Sequence, residues 1–116
     1  MDYAEKVAVV NRYVEAFEKQ DMAIIRDIYA DNAVVEDPVG TDLHEGIEAV
    51  CAFYEGALSS GAKLAITGPV RSAANTAAFP FQVNMGEMSI DIIDVFEFDD
   101  QGKVVSMKAY WGPDNM

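Results

Sequence analysis

The hydrophobic period of this chain changes at about residue 62, from apolar side chains spaced three and four apart to apolar side chains that alternate. Few folds accommodate that order. Asp2 with Glu5 reads as an N-cap and its reciprocal partner, opening a helix over about 3–19 with Val7, Val10, Tyr13, Val14 and Phe17 on its apolar face. Asp21 caps a short second helix whose Ile24, Ile25, Ile28 and Tyr29 face inward, and Ala30-Asp31-Asn32 is expected to end it. A third helix is expected over Gly46–Leu58, with Ile47, Val50, Cys51, Tyr54 and Leu58 as its buried stripe and Ser59-Ser60-Gly61 as its stop. The alternating half divides into strands at Lys63–Val70, Thr76–Met85, Met88–Phe98 and Lys103–Gly112, separated by turns at Ala74-Asn75, Met85-Gly86 and Asp99–Gly102. Three helices followed by a mostly antiparallel, curved sheet define an α+β class, one domain over residues 1–116 with the helices covering one face of the sheet.

Between the second and third helices, Val34-Val35-Glu36-Asp37-Pro38-Val39-Gly40 is an extended β-branched stretch that runs into a carboxylate and is then stopped by proline and glycine. Alternation puts Asp37 on the face of Val35, so the acid is aimed inward. Pro38 restricts Asp37 to extended backbone and supplies no N–H of its own, which suits a proton acceptor. Asp-Pro-x-Gly is also an ordinary turn sequence, and the residues alone leave both readings standing. In the strand over 88–98, Asp94 shares a face with Ile92, Phe96 and Phe98, where an ionised carboxylate would cost several kcal/mol unless paired or protonated. Ile93 and Val95 make the other face nearly as apolar, so which face is the core stays open. In the last strand Val105, Met107, Ala109 and Trp111 line one apolar face. His44, with no cysteine or second histidine beside it, reads as a solvated loop side chain.

Charge narrows the ligand. With 20 acidic and 8 basic residues the formal net charge is −12, which opposes nucleic acid, anionic membranes and phosphorylated substrates and favours a neutral ligand. The same excess pushes any buried acid toward its protonated form. Cys51 is the only cysteine, so no intrachain disulfide forms; a buried, inert thiol is expected, and neither a metal nor a cofactor. No apolar run reaches the ~20 residues of a membrane span, and Met1–Lys6 does not read as a signal peptide. A soluble, cytoplasmic protein is expected.

Several blocks stand in register with bacterial Δ5-3-ketosteroid isomerases: Arg12-Tyr13-Val14, Val35–Gly40, Phe53-Tyr54, Val70-Arg71 with Ala73-Ala74-Asn75, Asp94 with Phe96 and Phe98, and Gly102–Met107 with Ala109-Tyr110-Trp111. Across nearly its whole length the chain resembles that family. The resemblance implies the cone-shaped fold shared with nuclear transport factor 2 (NTF2-like, SnoaL-like), enclosing an apolar cavity, and a homodimer formed through the sheet. It implies Asp37 as the general base that carries a proton from C4 to C6 of a steroid, and Tyr13 with protonated Asp94 as donors to the C3 oxygen. Tyr29 and Tyr54 would extend the hydrogen-bond network behind Tyr13, while Trp111, Met85, Phe53 and Phe81 would bind the steroid. The hairpin Val83–Met88 is a few residues shorter than its family counterpart. Because the fold hosts other functions, a polyketide cyclase, an epoxide hydrolase with Arg71 between two aspartates, a lipid-binding module and a pure assembly domain are the rivals.

Overall fold

The computed structural model describes residues 1–116. Helix α1 (Tyr3–Lys19) starts on the predicted box, with the Asp2 carboxylate accepting from Glu5 N at 2.8 Å and Glu5 Oε1 accepting from Asp2 N at 3.0 Å. Helix α2 (Met22–Ile28) begins on Asp21, whose side chain accepts from Ala23 N. Helix α3 spans Ile47–Ser59. The strands are β1 (Tyr29–Glu36), β2 (His44–Glu45), β3 (Lys63–Ile66), β4 (Arg71–Ala73), β5 (Thr76–Met85), β6 (Met88–Phe98) and β7 (Val104–Tyr110), and a short 3-10 turn closes the chain at Pro113–Asn115. They form one seven-stranded sheet in the order β2-β1-β7-β6-β5-β3, with β4 also on β5. All pairings are antiparallel except β1 with β7. The α+β architecture is therefore as expected, with the helices on one face of the sheet and the core between the two layers. No helix is long and apolar enough to cross a membrane.

The two-faced ambiguity of β6 resolves cleanly. Ile90, Ile92, Asp94, Phe96 and Phe98 are buried, whereas Ile93 is 48% exposed on the opposite face. Asp94 sits at the centre of the sheet, between Phe79 of β5 and Ala109 of β7.

Four local expectations are corrected. Ala30-Asp31-Asn32 does not end α2; the helix stops at Ile28 and these residues already belong to β1, in an irregular stretch between the Tyr29–Val104 and Val34–Ser106 pairings with β7. The strand expected over Lys63–Val70 breaks after Ile66, where Thr67-Gly68-Pro69 interrupts the pairing and the chain re-enters as β4, leaving two short pieces on β5. Val105 is not on the core face at the start of β7. A register shift opposite Glu97 and Phe98 inserts an extra residue there, so Val104 is fully buried and the expected alternation resumes at Met107 and Ala109. On α1 the stripe runs through Lys6, Val10, Tyr13, Ala16 and Phe17, with Val7 and Val14 at its margins. Lys6 is 3% exposed because its ammonium bonds Ser72 Oγ at 2.8 Å and Ala74 O at 2.6 Å, tying α1 to the β4–β5 turn.

Candidate active site

Helices α1 and α3 and the concave face of the sheet enclose an apolar cavity of about 220 Å³. Tyr13, Asp37 and Asp94 reach it from α1, the end of β1 and the middle of β6. Phe53, Phe81, Met85 and Trp111 line it, and Ile90, Ile92, Val83 and Leu64 complete its apolar wall. The last four were not singled out from the sequence, although Ile90 and Ile92 share the alternation that carries Asp94 inward. Its hairpin end is closed by a two-residue turn at Gly86-Glu87 that pairs Met85 with Met88; Gly86 takes φ +61°, a conformation glycine adopts at little cost.

Tyr13 is fixed by its neighbours. Its ring meets Phe17 and Phe96 at centroid distances of 5.3 Å, Tyr54 at 5.7 Å and Phe79 at 6.0 Å, each edge-on. Phe79 and Phe96 are the residues beside Asp94 on the sheet, so the cage that holds the Tyr13 ring also holds it against that acid. The Tyr13 hydroxyl is 3.0 Å from that of Tyr54, which is 2.5 Å from that of Tyr29. The three hydroxyls thus form one buried chain, with Tyr29 behind the cavity wall. Burial is the main cause that raises all three phenols well above their ordinary range, so they are neutral donors.

The two acids differ in their surroundings. Asp94 is 1% exposed and neither carboxyl oxygen has a hydrogen-bond partner within the chain. Burial, and then the nearby charge of Asp37, raise its pKa well above the carboxylate range, against a smaller lowering by the Tyr13 hydroxyl. Asp37 is half-buried at the cavity rim. Burial raises its pKa too, but the Trp111 indole and His44 oppose the rise. Trp111 Nε1 donates to Asp37 Oδ1 at 2.8 Å, so Pro38 does not leave the acid without a donor. The partner comes from the next strand: β7 runs parallel to β1, Val39 N bonds Ala109 O, and Trp111 lies two residues beyond. Oδ2 stays free.

His44 is not a solvated loop residue. It pairs with Val35 in β2, is half-buried, and its ring lies on that of Phe53 at a centroid distance of 4.6 Å. Phe53, one residue before the buried Tyr54 on α3, supplies the shelter that local sequence did not reveal. Arg71 is exposed on β4, donates to Pro69 O, and does not line the cavity. Cys51 is free and buried, and its thiol pKa is raised by burial.

A family model described as a SnoaL-like domain matches residues 10–107. This chain belongs to the SnoaL-like family. A steroid Delta-isomerase from Nocardioides simplex is 42% identical to this chain over 118 residues, covering 97% of this chain and 94% of that protein. The solved structure of SalBIII, described as an epoxide hydrolase/cyclase-like enzyme in pyran ring formation in polyether salinomycin, superposes with a TM-score of 0.88 over 98% of this chain and 95% of that one. At 23% identity that similarity speaks to the SnoaL-like fold alone.

Proposed function

We propose that this SnoaL-like chain is a steroid Delta-isomerase that converts Δ5-3-ketosteroids to Δ4-3-ketosteroids. The observation that carries the reading is the pairing, in one apolar cavity, of a rim carboxylate with a free oxygen and a fully buried acid without a partner beside a caged tyrosine. Asp37 Oδ2 takes a proton from C4, and the electrons move through C3 to leave negative charge on the C3 oxygen of a dienolate. Tyr13 and protonated Asp94 donate to that oxygen. Collapse of the dienolate takes the proton back at C6, which moves the double bond from C5–C6 to C4–C5 and restores the carboxylate. Tyr29 donating to Tyr54, and Tyr54 to Tyr13, leaves the Tyr13 proton for the steroid. Neutral donors suit an apolar cavity, because they gain strength as charge develops without requiring a solvated counter-ion. The name of the Nocardioides simplex relative supports the same reaction.

The reading includes a cytoplasmic homodimer joined through the outer sheet face, where Ile93 and Tyr110 are cross-strand partners and each is 48% exposed. An epoxide hydrolase with an arginine between two aspartates is disfavoured by the outward position of Arg71. The test is absorbance on adding 5-androstene-3,17-dione, because the conjugated enone of the product absorbs where the substrate does not. Wild type should give a rapid rise. Asp37→Asn should slow it about 10²- to 10⁴-fold, the range of a positioned general base, while still binding a phenolic steroid. Equal rates in the two proteins would remove Asp37 from the reaction, and no rise in wild type would remove the isomerase.

A further inference from the structure

The lining of the cavity is hydrophobic except at Asp37, Asp94 and Ser60, and the proposed reaction uses only the two acids. Ser60 stands at the other end. It caps the C-terminus of α3 just before Lys63 pairs with Asn84 on β5, whereas Asp94 pairs with Phe79, well back along the same strand. From Asp94 the sheet wall of the cavity passes Ile92 with Phe81 and reaches Ile90 with Val83, about 13 Å along β6 at the rise of a strand. The helical wall runs from Tyr54, bonded to Tyr13, to Ser60, about 9 Å along the α3 axis. Four fused rings fill such a span. Leu64, Val83, Met85 and Ile90 also line the far end, so the Ser60 hydroxyl is its one polar side chain.

That hydroxyl is oriented by its own turn. Ser60 Oγ donates its proton to Ala57 O at 2.6 Å and accepts from Ala62 N at 3.3 Å. A serine hydroxyl has one proton and two lone pairs, so what is left for a ligand is a single lone pair. Ser60 is exposed, and a ligand in the cavity reaches that lone pair without moving the chain. We propose that Ser60 is a specificity residue that selects steroids carrying a hydroxyl, not a ketone, at C17 of ring D, the ligand's O–H donating to Ser60 Oγ. A ketone only accepts, so Ser60 could bond it only by releasing Ala57 O. The preference rests on the isomerase reading, since ring A has to lie against Tyr13 and Asp94 for ring D to reach Ser60.

Calorimetric titration of wild type, Ser60→Ala and Ser60→Thr with estradiol and estrone is the experiment. Both ligands are phenolic steroids that differ at C17 alone, a hydroxyl in estradiol and a ketone in estrone. Ser60→Ala should weaken estradiol binding about 3- to 10-fold, the worth of one neutral hydrogen bond, and leave estrone binding unchanged, which shows that the cavity is intact. Ser60→Thr keeps the hydroxyl and should keep the wild-type ratio of the two affinities. An equal loss for both ligands in Ser60→Ala, or no loss for either, would overturn the role of Ser60 and leave the isomerase reading standing. Failure of both ligands to bind wild type would instead remove the steroid reading, and this preference with it.

Discussion

Asp37 and Asp94 face one cavity, and what separates them is the donors around each. Burial raises the pKa of Asp37, and the indole N–H on one oxygen offsets part of that rise. Asp94 has apolar strands on both sides and no partner, so its neutral form is the stable one. If Asp94 and Tyr13 act together on one oxygen, each single loss leaves the other donor in place. Tyr13→Phe and Asp94→Ala should each lower kcat by about 10²- to 10³-fold, the range of a lost oxyanion donor, with little change in KM. Steady-state kinetics of the two variants and of the double variant check this; a double variant with normal kcat would contradict a shared role.

The element that organises the site is β6. Its alternation puts Asp94 inward with Ile90 and Ile92 and leaves Ile93 outward, a choice that the sequence left undecided because both faces are apolar. That apolar outer face is where the proposed homodimer would form, and Ile93→Lys should convert dimer to monomer in sedimentation velocity. An unchanged sedimentation coefficient in the variant would place the contact elsewhere. Much else at this scale was legible: the caps at Asp2 and Asp21, the change of period at residue 62, and the turns at Gly86 and Gly102 follow from local rules. Apart from the strand break at Thr67-Gly68-Pro69, which is local, the main misreadings depend on contacts distant in sequence. His44 looked exposed because Phe53 is nine positions away on another element, and Val105 looked inward because a bulge against β6 shifts the alternation. Lys6 falls on the apolar stripe at the spacing of Val10 and Tyr13, but its acceptors lie across the fold in the β4–β5 turn. Trp111 and Asp37 are neighbours only because β7 lies parallel to β1.

For the whole molecule, a neutral buried acid leaves a signature in stability. The unfolded chain releases the Asp94 proton near pH 4, an ordinary aspartate value, whereas the folded protein holds it to higher pH. Between those two values the folded state binds one more proton than the unfolded state, so stability falls as pH rises. Relative to Asp94→Asn, which has nothing to titrate, wild type should lose about 1.4 kcal/mol per pH unit from about pH 4 upward until the folded acid ionises. Urea unfolding of both proteins at several pH values checks the slope. Parallel curves would mean that Asp94 is ionised in the folded state at ordinary carboxylate pH. The sign is opposite to that of a surface acid in an ion pair, such as Asp27 beside Arg12 and Lys103, whose pKa is lowered.

The proposed chemistry requires the two carboxyl groups in one cavity to hold opposite protonation states, one accepting a proton and the other donating a hydrogen bond. Carboxyl-carbon NMR of aspartate-labelled, ligand-free protein at pH 7 reads both directly, with Asp37→Asn and Asp94→Asn supplying the assignments. An ionised Asp37 and a protonated Asp94 are predicted; two carboxylates, or a protonated Asp37 beside an ionised Asp94, would contradict the account.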